Sequence, residues 1–316
     1  MTIEVIVAEG VPESPARVRA ASRDPLRVGL VQHRWHPDPD EHREALAEGV
    51  RAAASTGARL VCLQELTLSP YCAIVPDGPA SVGTSPEPLP GGPTHRFAAA
   101  LARDLGVHLH ASLYEADDAV APLGYNTAIL VAPDGELVGR TRKLHIPVTA
   151  GYYEDHYFVP GDTGYPVVDA LGTRLGLPTC WDEWFPEVAR AYSLGGAEVI
   201  VYPTAIGSEP DHPDFDTAPL WRQVIVANGI ANGTFMVVPN RIGTEQLEPG
   251  GTAITFYGSS FISDPYGRVL VEAPRDSPTV LVADLDLDQR GDWLALFPFL
   301  ATRRPDTYQP LLEGPT

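Results

Sequence analysis

The chain contains 316 residues, of which 44% are apolar and 20% are charged, and a globular chain of this size buries roughly three quarters of the surface that its unfolded form exposes. Twenty-two basic residues against 41 acidic ones give a formal net charge of −19. Because this charge repels phosphate backbones and anionic lipid headgroups, the composition argues against nucleic acid and membrane surfaces as partners.

The first part of the chain alternates strands and helices. Residues 1–24 are expected to form an extension, rich in Ala, Pro, Arg and Glu, ahead of a first strand at 26–32. A helix is predicted at about 40–55, since its apolar residues recur at helical spacing. The segment 59–66 is almost continuously apolar, which is typical of a strand covered on both faces, and Glu65 lies at its carboxyl end.

The rest of the chain continues this alternation. After a loop rich in Pro and Gly, the predicted elements are a helix containing Phe97, Leu101 and Leu105, a strand at 107–114, a hairpin at 125–132 and 136–139, a strand ending at Cys180, a helix at 186–194, a strand at 198–202, a helix at 218–232, a strand at 235–239 and a hairpin at 260–263 and 268–272. The order β-α-β-α-β-β therefore occurs twice.

Strand-rich runs with helices between the strands predict two sheets that face each other and helices that cover them on the outside. We therefore expect an α/β fold of four layers, an α-β-β-α sandwich. No low-complexity linker divides the chain, so residues 25–316 are expected to form one domain that ends in a carboxyl-terminal tail.

The cysteines, Cys62, Cys72 and Cys180, are few and widely spaced. They form neither the framework of a disulfide-stabilised secreted domain nor the ligand pattern of a zinc site. The amino terminus has no basic leader, and no apolar stretch approaches the roughly 20 residues that span a bilayer. These features predict a reducing, cytoplasmic setting without membrane insertion.

Three reactive side chains lie where apolar strands end. They are Glu65, Lys143 in the segment 142–147, and Cys180 in the segment 178–187. In α/β proteins the carboxyl ends of the strands are the usual place for a site. Each residue taken alone is more often a solvated charge or a buried thiol, so the functional interpretation depends on the three converging in space.

A carboxylate, an ammonium and a thiol that converge can form a reactive centre. A free thiol with a pKa near 8.5 is mostly protonated at neutral pH, and a free glutamate with a pKa near 4.3 is a weak base for it, a gap of roughly 5.7 kcal/mol. Burial raises the pKa of the acid, and a nearby ammonium lowers that of the thiol. The trio then supplies a nucleophile, a base and a cation.

In order and context, these residues resemble the Glu-Lys-Cys triad of the carbon–nitrogen hydrolase (nitrilase) superfamily, and the chain is most similar to its N-carbamoylputrescine amidase branch. The resemblance extends from about Leu26 to Leu312. The motifs that carry it are Lys143–Pro147 (Lys-Leu-His-Ile-Pro), Tyr157–Asp162 (Tyr-Phe-Val-Pro-Gly-Asp), Cys180–Glu187 (Cys-Trp-Asp-Glu-Trp-Phe-Pro-Glu), Tyr202–Pro210 (Tyr-Pro-Thr-Ala-Ile-Gly-Ser-Glu-Pro) and Asn240–Gly243 (Asn-Arg-Ile-Gly). It implies a sandwich of the nitrilase type, a homodimer or larger homo-oligomer, and no metal or organic cofactor.

The resemblance also implies a reaction. Glu65 takes the thiol proton and later returns it to the departing amine, while Cys180 attacks the carbamoyl carbon. Lys143 and the main-chain N–H of Trp181 hold the oxyanion, and Glu115 is the second glutamate, which supports the lysine. The expected substrate is a small ureide or amide, hydrolysed through a cysteine acyl-enzyme; a ureide gives an amine, carbon dioxide and ammonia.

Residues near the nucleophile predict the far end of the substrate. Relatives that hydrolyse N-carbamoyl amino acids carry arginines just after the cysteine, whereas this chain has Glu183 and Trp184. Such a pair repels a carboxylate and binds an ammonium by ion pairing or cation–π contact. Glu209 is a second candidate anion, and Tyr71 is a candidate for lining the pocket. A cationic substrate similar to N-carbamoylputrescine is therefore expected.

Other interpretations stay open. The chain departs from the amidase branch at 148–151 and 227–229, next to the expected pocket, so an aliphatic amide, a nitrile or an N-carbamoyl-β-amino acid also suits the triad. A scaffold with a vestigial site is the non-enzymatic alternative. His145 is a candidate base of a Cys-His pair, although a structural role fits its motif better. His108 and His110 share one strand face and are a weak candidate metal pair, because no third ligand stands at a suitable spacing.

Overall fold

A computed structural model describes residues 3–313, so the first two residues of the predicted extension and the last three of the predicted tail lie outside the described residues. The strands are β1 (Glu4–Val7), β2 (Leu26–Gln32), β3 (Leu60–Cys62), β4 (His108–Ala116), β5 (Gly124–Val131), β6 (Leu137–Arg142), β7 (Val148–Thr149), β8 (Tyr152–Tyr153), β9 (Val167–Ala170), β10 (Thr173–Gly176), β11 (Val199–Val201), β12 (Phe235–Val238), β13 (Ile242–Glu245), β14 (Ile254–Tyr257), β15 (Phe261–Ser263), β16 (Val269–Glu272) and β17 (Thr279–Leu285). The α-helices are α1 (Pro39–Ser55), α2 (Pro93–Leu105), α3 (Pro186–Leu194), α4 (Ala218–Asn232) and α5 (Asp288–Leu296).

Two large sheets contain most of the strands. The first sheet has the order β1-β17-β2-β3-β4-β5-β6, and the second has the order β16-β15-β12-β11-β10-β9. In each sheet three central strands run parallel, β2, β3 and β4 in the first and β10, β11 and β12 in the second, with helices between them in the chain. The predicted alternation of strands and helices is thus confirmed in both halves, with the β13–β14 hairpin inserted in the second.

An apolar layer separates the two sheets. Val28 and Leu60 of the first sheet share this layer with Val199 of the second, and all three are fully buried. The opposite face of the first sheet packs on α1 and α2, where Val50 is buried. The opposite face of the second sheet packs on α3 and α4, where Trp221 is buried. The predicted four-layer α-β-β-α sandwich is confirmed.

Local signals in the sequence explain where the helices begin and end. The Asp38 side chain accepts hydrogen bonds from backbone N–H groups in the first turn of α1, as a helix N-cap does. Helices α2 and α4 end before Gly106 and Gly233, whose φ angles of +67° and +63° are ones that glycine adopts without strain. The predicted bounds of α1, α3 and α4 are confirmed to within one residue. None of the helices within residues 3–313 is both long and apolar enough to cross a membrane.

Strand β17 links the two halves of the chain. It lies in the first sheet between β1 and β2, antiparallel to β2 over seven residue pairs and parallel to β1. The predicted elements include neither β17 nor β1. Six of the seven residues of β17 are buried, as expected for a strand covered on both faces. The first sheet is therefore completed by a segment that follows the whole second sheet in the chain.

Residues 3–24 pack against the rest of the protein. Strand β1 forms the edge of the first sheet. Arg17 Nη1 lies 2.8 Å from Asp286 Oδ2, and Arg23 Nη2 lies 3.0 Å from Glu198 Oε1. The composition of this segment predicts an extension ahead of the first strand, whereas the structure shows that it contributes a strand of its own.

His108 and His110 lie on the same face of β4, as the alternation of side chains along a strand predicts. His110 is paired in register with Cys62, a residue of the layer between the sheets. It is fully buried, and neither ring nitrogen has a hydrogen-bond partner within residues 3–313. Burial lowers the pKa of His110 to about 3, so this side chain packs between the sheets as a neutral ring.

Candidate active site

Glu65 lies in the loop after β3 and is fully buried. Its Oε1 accepts hydrogen bonds from Lys143 Nζ at 2.9 Å and from Asn126 Nδ2 at 2.7 Å. The other oxygen, Oε2, is also buried and receives no hydrogen bond from any residue in the range 3–313. One oxygen is thus held in place, while the other keeps its lone pairs available for a proton.

Arg241 holds the loop that carries Glu65. Its Nη2 donates to the carbonyl oxygens of Glu65, Leu66 and Ser69 at 2.9, 2.8 and 2.7 Å, and its Nη1 donates to Glu245 Oε1 at 2.6 Å. Leu66 has a φ angle of +48°, which residues other than glycine rarely adopt. The guanidinium therefore stabilises a strained turn next to the carboxylate. Sequence reasoning missed this residue, although it lies in one of the quoted motifs.

Lys143 follows β6, and two carboxylates hold its ammonium group. Its Nζ lies 2.7 and 2.8 Å from the two carboxylate oxygens of Glu154 and 2.9 Å from Glu65 Oε1, and all three side chains are fully buried. Burial acts to lower the pKa of Lys143, but the two carboxylates outweigh it and hold the pKa above its usual value. Burial and the neighbouring Glu65 raise the pKa of Glu154, against the opposing effect of the ammonium.

Glu154 is the second site residue that sequence reasoning missed. It begins a short 3₁₀ turn after β8. The Tyr71 hydroxyl donates to Glu154 Oε1 at 2.7 Å, and the Tyr71 backbone N–H donates to Glu245 Oε2 at 2.7 Å. The sequence did contain a signal, because Glu154 lies three residues before the Tyr157–Asp162 motif.

Glu115 does not support the lysine. Its carboxylate, near the end of β4, is 2% exposed and pairs with Arg142 Nη2 at 2.7 Å and with the Arg140 guanidinium. The Thr127 hydroxyl also donates to it at 2.7 Å. The expected role of Glu115 is therefore corrected: strand β6 and its end present two arginines to this carboxylate, and the glutamate beside Lys143 is a different one.

Cys180 opens a five-residue 3₁₀ turn, Cys180–Trp184, beyond the end of β10. The strand was expected to reach the cysteine but ends at Gly176, so the thiol sits on a turn. Cys180 has a φ angle of +36°, a strained conformation of the kind found at functional sites. Burial raises the pKa of the thiol well above its usual range, Glu65 adds to this effect, and Lys143 opposes it. A thiol with a raised pKa holds its proton at rest, so any reaction of this sulfur as a nucleophile requires a base.

Asp182 ties the cysteine's turn to the segment that follows the lysine. Its Oδ1 accepts from the His145 backbone N–H at 3.0 Å and lies 2.8 Å from His145 Nδ1. Its Oδ2 accepts from the backbone N–H groups of Thr179 at 3.2 Å and Leu144 at 3.4 Å. The His145 ring also stacks on Phe185 with 3.6 Å between centroids. These contacts favour the structural role of His145 over a Cys-His pair.

A cavity of about 80 Å³ opens onto the thiol. Its lining residues are Tyr71, Pro147, Thr149, Tyr152, Glu154, Cys180, Trp181, Ile206 and Glu209. Two of these lining residues carry carboxylates, Glu154 and Glu209. Among the described residues, no lysine or arginine lines the cavity. Burial raises the pKa of Glu209. The cavity is therefore narrow, mostly apolar and acidic.

Three of the five predicted substrate contacts, Trp181, Glu209 and Tyr71, line the cavity, and two do not. Residues three apart in a 3₁₀ turn lie on the same side, so Glu183 follows Cys180 into the interior, where it is fully buried. Trp184 instead lies beside α4, next to a shallow apolar depression. The expectation that Glu183 and Trp184 bind the substrate is corrected by the direction of this turn.

The fold and the site define an α-β-β-α enzyme in which a thiol lines a narrow cavity and a buried carboxylate–ammonium pair acts on that thiol. A family model described as carbon-nitrogen hydrolase matches residues 27–295, and the chain belongs to this family. The protein is therefore a hydrolase that acts on carbon–nitrogen bonds, and the alternative of a non-enzymatic scaffold is set aside.

Individual relatives agree with this assignment. The chain is 41% identical over 267 residues to an N-carbamoylputrescine amidase from Solanum lycopersicum, covering 83% of this chain and 87% of that one. It is 33% identical over 291 residues to a citrullinase from Francisella tularensis, covering 91% and 98%. The crystal structure of a carbon-nitrogen hydrolase from Helicobacter pylori G27 superposes on this chain with a TM-score of 0.84. The two sequences are 33% identical, and the match covers 92% of this chain and 99% of that one. The predicted family and the nitrilase-type sandwich are confirmed.

Proposed function

We propose that the enzyme hydrolyses a cationic N-carbamoyl amine, N-carbamoylputrescine or a close analogue, to the amine, carbon dioxide and ammonia. The observation that carries the proposal is the buried cluster of Glu65, Lys143 and Glu154 beside Cys180, at a narrow cavity whose charged lining within residues 3–313 is acidic. The similarity to an N-carbamoylputrescine amidase and to a citrullinase supports a ureido substrate.

The proposed reaction begins with proton transfer from Cys180 to Glu65 as the sulfur attacks the carbamoyl carbon. We propose that the Lys143 ammonium and the backbone N–H of Trp181 bind and stabilise the oxyanion of the tetrahedral intermediate. The carbon–nitrogen bond then breaks, Glu65 returns the proton to the leaving amine, and the carbamoyl group stays on sulfur. Water, deprotonated by Glu65, attacks this thioester-like intermediate and releases carbamate, which decomposes to carbon dioxide and ammonia.

We assign the binding of the substrate's far end to Glu209. Its side chain lines the same cavity as the thiol, together with the Tyr152 ring and Ile206. An ammonium placed there gains a charged hydrogen bond, whereas a carboxylate meets a second anion and no cation from the described residues of the lining. The cavity therefore favours a linear substrate with an apolar chain and a cationic tip.

Product release from four compounds tests the proposed function. The purified protein is incubated with N-carbamoylputrescine, β-ureidopropionate, butyramide or butyronitrile, and ammonia and carbon dioxide are measured. We expect equal amounts of both gases from N-carbamoylputrescine, with kcat/KM at least about tenfold above the other three, equivalent to about 1.4 kcal/mol. A preference for β-ureidopropionate, the amide or the nitrile would instead assign the enzyme to that alternative class.

Replacing Glu209 by glutamine should lower kcat/KM for N-carbamoylputrescine about 10- to 100-fold, mainly through KM. The substitution removes a charged hydrogen bond, which contributes about 1.5–3 kcal/mol. The matched control is N-butylurea, which has the same ureide and a neutral tip, and its kcat/KM should change by no more than about twofold, because an uncharged tip makes no ion pair. Equal losses of kcat/KM with both compounds would show that Glu209 does not distinguish a charged from a neutral substrate end.

We also propose a homo-oligomer in a reducing, cytoplasmic setting. Leu220 of α4 is 47% exposed and lines the apolar depression with Trp184 and Ile230, and Leu312 near the end of the chain is 79% exposed. An exposed apolar depression of this kind can mark an interface, which a second copy related by a twofold axis can cover. The three cysteines carry free thiols, as expected in a reducing compartment. Sedimentation velocity of the full chain measures the oligomeric state.

A further inference from the structure

Glu183 is a buried acid that the proposed reaction does not use. It lies in the same 3₁₀ turn as Cys180 and is 0% exposed. Both of its carboxyl oxygens are buried, and neither accepts a hydrogen bond from a donor in residues 3–313. Its backbone carbonyl is held by Asn228 Nδ2 at 2.9 Å, so α4 fixes the main chain at this point. The Trp221 indole N–H interacts with this carboxyl group and opposes the rise in its pKa. Because that N–H is neutral, the side chain is confined in the interior without a positively charged partner of its own.

The groups that face Glu183 do not provide a spare positive charge. They are Glu65 after β3, Lys143 after β6, Cys180 and Asp182 in its own turn, Tyr202 after β11 and Trp221 of α4. The one ammonium among them, Lys143, is already bound to Glu65 and Glu154. An unpaired ionised carboxylate is costly to bury, and such a group takes up a proton instead.

Two further features agree with a neutral acid. Burial, and after it the charge of Glu65, raises the pKa of Glu183 well above its usual value. An ionised carboxylate can only accept hydrogen bonds, so burial without donors is costly for it. A protonated carboxyl group needs fewer donors, because one of its oxygens carries an O–H. A neutral Glu183 also adds no like charge beside the Glu65 carboxylate.

We propose that Glu183 stays a neutral carboxylic acid throughout turnover, so that it adds no negative charge beside the nucleophile. This rests on the proposed function only in taking Cys180 as the nucleophile. When the Cys180 proton moves to Glu65, one negative charge moves from carboxylate to sulfur and the total charge around Lys143 is unchanged. An ionised Glu183 beside the sulfur would oppose this transfer, because like charges repel across a buried site.

Infrared spectroscopy tests the protonation state without any substrate. Spectra of the wild type and of Glu183→Gln are recorded at pH 7 and subtracted. We expect the substitution to remove a C=O band of a protonated carboxylic acid. The matched control is Glu187→Gln, an exposed glutamate four residues further on, which should remove carboxylate bands only. Loss of carboxylate bands from the Glu183→Gln variant would overturn the proposal.

Alkylation of Cys180 by iodoacetamide tests the effect on the nucleophile, again without a substrate. Glutamine is the uncharged isostere of the protonated acid, so Glu183→Gln should alkylate at pH 7 within about twofold of the wild-type rate and keep kcat within about threefold. If Glu183 is ionised, removing its charge raises the thiolate population and accelerates alkylation about tenfold for each unit by which the thiol pKa falls. Such an acceleration would overturn the proposal.

A folding control completes the test. Thermal unfolding of Glu183→Gln and Glu183→Asp is compared with that of the wild type. A neutral acid predicts that the glutamine variant folds and has the higher melting temperature of the two, because aspartate shortens the side chain in a packed interior. A glutamine variant that fails to fold while the aspartate variant folds would show that the charge is required and would overturn the proposal. Because alkylation and infrared spectra need no ureide, these outcomes are independent of whether N-carbamoylputrescine is the substrate.

Discussion

Glu65→Gln should lower kcat for the best carbon–nitrogen substrate about 10⁴-fold while the protein stays folded. A positioned general base contributes up to about 10⁴ to a rate, and Glu65 is proposed to act both when the thiol attacks and when water attacks. The fold should persist because the glutamine oxygen can still accept the hydrogen bonds of Lys143 and Asn126, which both reach Oε1 in the structure. Ammonia release under saturating substrate measures the loss.

The control for Glu65→Gln is a binding and folding test. Circular dichroism should be unchanged, and the substrate should still protect the variant from thermal unfolding, since a ligand that binds the folded state stabilises it. Retention of more than about 1% of wild-type kcat would contradict the assignment, because it corresponds to a loss below the 10² that general-base catalysis normally contributes.

Glu154→Gln and Glu115→Gln should have opposite effects. Glu154 binds the Lys143 ammonium through both oxygens, so its substitution lets the lysine move. Misplacing one oxyanion donor lowers kcat about 10²- to 10³-fold. Glu115 is bound to Arg140, Arg142 and Thr127 instead. Its substitution should keep kcat within about threefold but lower the free energy of unfolding by about 1–3 kcal/mol, because the buried Arg142 guanidinium loses a charged partner.

Parallel measurement of kcat and of denaturant unfolding separates these two glutamates. Each variant serves as the control of the other, since both remove one buried carboxylate charge near the end of β6. If Glu115→Gln lowered kcat more than Glu154→Gln, the role that the family resemblance implied for Glu115 would be restored, and the ion pairs described above would not reflect the active enzyme.

Local periodicity was sufficient to predict much of the fold. The bounds of α3 and α4 follow from helical spacing and from the proline and glycine residues at their ends, which act over a few residues. Strand β17 has an equally clear apolar pattern, yet its partner β2 lies about 250 residues earlier in the chain. A pattern identifies a strand but not its neighbour in a sheet, so the interlocking of the two halves could not be predicted.

The candidate site was predicted in part for a related reason. Glu65, Lys143 and Cys180 stand at strand ends or within distinctive motifs. In the structure Glu65 and Lys143 form a buried ion pair whose charges act on Cys180, and Cys180 lines the cavity. Glu154 lies in a short 3₁₀ turn, where neither apolar spacing nor strand alternation shows which way a side chain points. The same uncertainty misdirected Glu183, because a turn with three residues per repeat sends it into the interior.

The position of β17 affects how the protein can mature during synthesis. Among residues 3–313, β1 pairs in the first sheet with β17 alone, and Arg241 binds the backbone of the loop that carries Glu65. Both early segments therefore depend on segments that follow them by more than 170 residues. Until those segments leave the ribosome, the nascent polypeptide exposes unpaired apolar edges of the kind that chaperones bind. Hydrolytic competence is therefore expected only after β17 and Arg241 have folded onto these earlier segments, and a product truncated before Arg241 is expected to be inactive.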